Sequence, residues 1–158
     1  MDERTDNEIL DMLYTWTKSL VPESARFIEG LADLEPEIRP LIAEHVRYYD
    51  EMLPTVLMGD VSRWVEQIVR DSEDPRSRLA PFIARLEEAW GDGQNPVADL
   101  IAVSFVENIY DNPDVVKLLG PKLARYYRVY TGQEKPRNDQ RRPVPEIVHQ
   151  IRKKLGWS

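Results

Sequence analysis

Residues 95–111 read NPVADLIAVSFVENIYD, and this stretch decides the fold. Asn95-Pro96 has the form of a helix cap followed by a first-turn proline. Beyond it Val97, Leu100, Ile101, Phe105 and Ile109 recur at helical spacing. Ala98, Ala102, Val103 and Val106 fill the other faces, so the predicted helix is apolar nearly all round. Such a helix lies in the middle of a fold, with other elements against most of its sides.

The neighbouring segments repeat the helical period. Upstream, Asp74-Pro75 opens a helix with Leu79, Phe82, Ile83, Leu86 and Trp90, and Pro54 opens one with Leu57, Val61, Trp64, Ile68 and Val69. Ile38, Leu41, Ile42, Val46 and Tyr49 share a stripe, as do Phe27, Ile28, Leu31 and Leu34 after Pro22. Thr5 and Glu8 fit a capping box ahead of Ile9, Leu10, Leu13, Trp16 and Leu20. Downstream, Asn112-Pro113 and Gly120-Pro121 introduce a short helix with Val115 and Leu118 and a longer one with Leu123, Tyr126 and Tyr130. No strict alternation and no Asn-Gly hairpin signal survives anywhere, so the fold class is all-α. Short Pro- and Gly-marked turns make successive helices antiparallel neighbours. The expected architecture is a set of stacked antiparallel helical hairpins, either a HEAT-like superhelix or an irregular bundle, with no fixed repeat period. The helical domain is expected over residues 1–130. Residues 131–143 (TGQEKPRNDQRRP) have no apolar side chain and form the expected linker, and 144–158 a short basic amphipathic helix with Ile147, Ile151 and Leu155 on one face.

The 158 residues, 42% hydrophobic and 31% charged, suit one soluble globular domain with a real core. No cysteine is present, which excludes disulfide scaffolds, cysteine nucleophiles and thiolate zinc sites. The two histidines, His45 and His149, exclude a histidine-rich metal site. No apolar run approaches the ~18 residues of a membrane span and the acidic N-terminus is unlike a signal peptide, so a cytoplasmic protein without membrane contact is expected. Charge is uneven: residues 1–60 hold 14 acidic and 5 basic residues, 61–120 hold 11 and 6, and 121–158 hold 3 and 10. The first three-quarters repel nucleic acid and attract basic partners, and the tail does the reverse.

The stretch EHVRYYDEMLPTVLMGD (44–60) carries the candidate site. His45 falls on the apolar stripe of its helix and Asp60 on that of the next, so a hairpin would turn both into one interface. A carboxylate there needs a partner, which His45, Arg63 or a tyrosine hydroxyl would supply. Glu44, His45, Asp60 and Arg63 thus define a candidate polar pocket. Its bland counterpart is an internal hydrogen-bonded pair that fixes the hairpin register. The spacing matches neither HExxH nor an EF-hand loop, so no metal ligand, catalytic residue or cofactor is assigned. Ser104 lacks a GxSxG context, and with Asn108 it is expected to bond to backbone or to the buried acid. Gly91-Asp92-Gly93 reads as a turn, and Trp16, Trp64 and Trp90 as core. Adjacent tyrosines cannot all face one core, so Tyr48 and one of Tyr126 or Tyr127 are expected at the surface.

YYDEMLPTVLMGDVSRW (48–64), LIAVSFVENIYD (100–111) and LLGPKLARYY (118–127) together resemble a family of small, uncharacterised bacterial all-helical proteins. That family carries an ELLPHLLMAD-like core, an SFLENL-like helix and an LLGP turn, and the resemblance spans roughly residues 40–128. Met52 and Thr55 depart from it, standing where Leu and often His are expected. Some proteins of this kind resemble the small acidic proteins of toxin or secretion loci, and the resemblance therefore implies an immunity- or antitoxin-type role.

The sequence favours a non-enzymatic protein-binding module. Its acidic face, with Tyr48, Asp50, Glu51 and Asp60, would engage a basic protein. Two alternatives stay open: an enzyme or metal-binding protein using His45 and Asp60, and a transcription-related regulator whose basic tail, Arg137 to Lys154, touches nucleic acid. The tail ends before a recognition helix could complete a helix-turn-helix. The oligomeric state is left open.

Overall fold

Proline marks where the helices begin. In the computed structural model, which describes residues 22–136 together with Thr5 and Glu8, seven α-helices are present: α1 (Pro22–Leu34), α2 (Ile38–Tyr49), α3 (Pro54–Asp71), α4 (Pro75–Trp90), α5 (Pro96–Ile101), α6 (Pro113–Val116) and α7 (Pro121–Tyr130). All but α2 start on a proline, whose fixed φ suits the first turn and whose missing N–H would have had no helical partner there. Two have the side-chain caps predicted and a third has one as well: Asp74 accepts from the Ser77 N–H and Asn95 from Ala98, at 3.2 and 2.9 Å, and Asn112 from Val115 at 3.3 Å. The hydrogen bonds from Ser77 hold the Asp74 carboxyl below the usual carboxylate range. Thr5 and Glu8 close the predicted capping box, with Thr5 N–H on Glu8 Oε2 at 2.7 Å and Glu8 N–H on Thr5 Oγ1 at 3.2 Å. The helix expected to follow, the linker beyond Pro136 and the basic terminal helix lie outside the described residues. Among those described there is no strand, and the fold is all-α.

The segment from 96 to 106 occupies the middle. Helix α5 touches α1, α3 and α4, and its continuation packs against α3 and α7. Leu31, Ile42, Leu57, Leu86, Ile101 and Phe105 are fully or almost fully enclosed around it. Trp64, Phe82 and Phe105 make an edge-to-face chain across the centre, with centroids 5.5 and 5.9 Å apart. Each such side chain contributes about 1.5–3 kcal/mol through its removal from water. Trp64 and Trp90 are core residues as predicted, while Trp16 lies outside the described part.

The middle helix differs from the uniform one predicted. Residues Ala102–Val106 form a π-turn, in which Glu107 N–H bonds to Ala102 C=O at 3.0 Å, and the helix ends there. Two side chains take the Ser104 carbonyl: Ser62 Oγ from α3 at 3.1 Å and Asn108 Nδ2 at 2.7 Å. The widened turn also brings Glu107, buried to 4% exposure, onto the Tyr126 hydroxyl of α7 at 2.6 Å.

Further ties fix the periphery. Glu35, buried to 6% exposure between α1 and α2, accepts from Arg78 of α4 at 2.9 Å, and the Trp64 indole N–H donates to Glu37 at 2.9 Å. Gly120 precedes α7 and carries no side-chain cap; Glu87 of α4 substitutes, accepting from Lys122 and Leu123 N–H at 3.2 and 3.1 Å. The expected linker begins with residues that close back on α7, since the Gln133 and Glu134 N–H groups both bond to Arg128 C=O. No helix among the described residues is long and apolar enough to cross a membrane.

Candidate functional site

Helices α2 and α3 meet through a short loop, residues 50–53, and their facing sides bound an open groove of about 610 Å³. The loop geometry comes from its ends. Asp50 closes α2 in the left-handed conformation, φ 56°, a region that Asp tolerates better than most residues, with its N–H on Val46 C=O at 2.8 Å. Leu53, the residue before Pro54, is extended, and its N–H donates to His45 Nε2 at 3.0 Å.

That bond assigns His45 a definite state. Nε2 is an acceptor, so the neutral ring carries its proton on Nδ1, which is enclosed and has no hydrogen-bond partner. The side chain is 3% exposed and lies 4.8 Å from the Tyr49 ring. Burial lowers its pKa below the ordinary imidazole value, against the opposing pull of Asp60 and Glu51. The imidazole therefore ties the loop to α2. The sequence offered His45 as a partner for Asp60; the ring accepts instead from the Leu53 backbone N–H.

Glu44, His45, Asp60 and Arg63, predicted to share a polar pocket, all line the groove, as does Tyr48. Asp60 stands on its wall, with its side chain 33% exposed and paired to Arg63 one turn on. The partner comes from the predicted set. His45 and Asp60 thus each have a different partner. Glu44 is open to solvent, with Arg47 at 3.8 Å. Asp50 and Glu51 do not line the groove; both are exposed on the loop beside it. Among the described residues no three His, Asp or Glu side chains converge as a metal site.

Tyr48 is 80% exposed and Tyr49 42%, their rings edge-on at 4.7 Å. Of the other tyrosine pair, Tyr126 is buried and Tyr127 half-buried, donating to Tyr110 C=O at 3.2 Å. Trp64, Glu66, Gln67 and Arg70, all on α3, also line the groove. Glu35 and Glu107 escaped the sequence reading. The signal for Glu107 was its place beside Phe105 and Val106 in an apolar helix, and Glu35 gave none.

This groove belongs to a helical domain of a recognised family. The chain is a member of the DUF7674 family, described as a domain of unknown function, which matches residues 28–133 and so includes all of α2, α3 and the groove between them. No curated protein and no solved structure matches the chain significantly.

Proposed function

We propose that the protein is a non-enzymatic binding module that engages a basic protein partner through the α2–α3 face. One observation carries this: Tyr48 stands 80% exposed at the rim of an open groove, beside the exposed acids Glu44, Asp50 and Glu51. An aromatic side chain left in water beside carboxylates suits the anchor of an interface with a cationic surface. The sequence-wide charge favours the same partner, with 25 acidic against 11 basic residues over 1–120. The polar groups that chemistry would need are otherwise engaged, His45 with the Leu53 N–H and Asp60 with Arg63.

The finer reading is an immunity- or antitoxin-type role, supported by the ELLPHLLMAD-like, SFLENL-like and LLGP stretches and by physical fit. A nuclease toxin presents a basic substrate cleft, which an acidic helical face occupies with electrostatically steered association. The test is affinity capture with the full chain beside an Asp50→Lys/Glu51→Lys variant, followed by mass spectrometry. A basic protein retained by the first and lost by the second is the expected result. Capture unaffected by the reversal overturns the assignment of this face.

A further inference from the structure

We propose that the α2–α3 groove recognises arginine: the guanidinium of a basic peptide segment lies on the Tyr48 ring and pairs with the Glu44 carboxylate. The inference rests on the binding of a basic partner by this face and names the side chain that the face selects. Glu44 and Tyr48 are four residues apart on α2, so they are surface neighbours on one side of the helix. Glu44 has its side chain 79% exposed, and its nearest cation, Arg47, stands off at 3.8 Å. Tyr49, edge-on to Tyr48 at 4.7 Å, restricts where the outer ring can turn. The groove walls contribute Glu44, Asp60 and Glu66 against Arg63 and Arg70, and Asp50 and Glu51 lie on the adjoining loop, so the entrance is acidic.

A flat ring beside a carboxylate favours a guanidinium over an ammonium. The guanidinium stacks its face on the ring and turns its N–H edge to the carboxylate at the same time, whereas an ammonium is a compact, strongly hydrated point charge. The protein already uses this arrangement twice internally. Arg78 lies 5.6 Å from the Trp64 ring centroid while bonding to Glu35, and Arg85 lies 5.4 Å from the Phe27 centroid with Glu88 at 3.9 Å. Tyr48 with Glu44 offers the same pair of surfaces, and among the described residues no cation lies over the Tyr48 ring. The groove volume falls within the ~300–1,000 Å³ of ordinary ligand clefts.

The test is a titration of ¹⁵N-labelled full chain with acetylated tetra-arginine, tetra-lysine and tetra-citrulline peptides, followed by amide shifts. Tetra-arginine is expected to shift the amides of residues 44–51 and 60–63 and to bind about two- to fivefold more tightly than tetra-lysine per engaged side chain, the gain of an exposed cation–π contact. Citrulline, which keeps the shape and loses the charge, is expected not to bind. Tyr48→Ala and Glu44→Gln, both at exposed positions, should each reduce tetra-arginine to the lysine level, while Tyr48→Phe keeps the preference. Equal affinity for arginine and lysine, both lost with Asp50→Lys/Glu51→Lys, overturns the arginine selectivity and leaves the acidic-face module standing. Binding of neither peptide overturns both. Shifts at these amides that depend on protein concentration without peptide assign the groove to a second copy, and so overturn the proposal as well.

Discussion

Gly120→Ala tests the cap that α4 lends to α7. Gly120 has φ −72° and ψ 174°, extended backbone that alanine adopts without strain, so any penalty must come from the space around it. A methyl carbon built there would sit 2.5 Å from Glu87 Cδ and closer still to its Oε1 and Cγ. Glu87 would have to swing away, and the N–H groups of Lys122 and Leu123 would lose their acceptors. Loss of an N-terminal cap costs about 0.5–2 kcal/mol, and the same loss follows from Glu87→Ala. The two substitutions should therefore not add. In the Glu87→Ala background, Gly120→Ala is expected to be neutral, or to stabilise by ~0.4–1 kcal/mol through a less flexible unfolded chain. Urea unfolding of the four proteins, read as a double-mutant cycle, should give a coupling energy equal to the shared cap, about 0.5–2 kcal/mol. Equal penalties for Gly120→Ala in both backgrounds would refute the shared-space explanation.

Acidification should weaken the fold through His45. Its folded pKa is depressed by burial below the unfolded value near 6.5, so the unfolded chain binds the extra proton more readily; this contribution is whole above pH 6.5 and is lost as pH falls toward the folded pKa. The proton would land on Nε2, the acceptor of the Leu53 N–H, and His45→Phe should flatten that dependence at a cost of about 1–3 kcal/mol in denaturant melts at pH 7. Tyr126→Phe removes the hydroxyl from the buried Glu107 carboxyl and should lower stability by about 1–3 kcal/mol; an unchanged urea midpoint would contradict that contact. Gly59→Ala should do the opposite, because its new methyl would meet Asn108 Nδ2 at an ordinary 3.6 Å inside α3, and a gain of ~0.5–1 kcal/mol, seen as a melting point raised by ~2–4 °C, is expected.

The helices were legible because their starts are written locally, as Asp74-Pro75, Asn95-Pro96, Asn112-Pro113 and the capping box of Thr5 with Glu8. The middle position of residues 96–106 followed from their apolar faces. The π-turn did not, since five residues such as AVSFV cannot distinguish its period from that of an α-helix, and its Ser104 carbonyl is taken by Ser62, distant in sequence. At the groove, the stripes of α2 and α3 brought His45, Asp60 and Arg63 to one place. The partner of His45 escaped because it is a backbone N–H, set by the approach of the loop and not by any side chain. Glu87 and Gly120 were equally silent, a contact between helices α4 and α7 with no local mark.

The wide turn at Ala102–Val106 also constrains how related chains can change length. It accommodates one residue more than a regular helix would over the same rise, so a relative lacking one residue here would close the turn to a regular α-helix and keep the segments on either side of it in register. The N–H at the position of Glu107 would then reach the same carbonyl as an ordinary helical bond, and its carboxyl would still face α7. In an alignment of relatives, a single gap between 102 and 106 should therefore be found together with the acid at 107 and the tyrosine at 126, a change of length that leaves the chemistry in place.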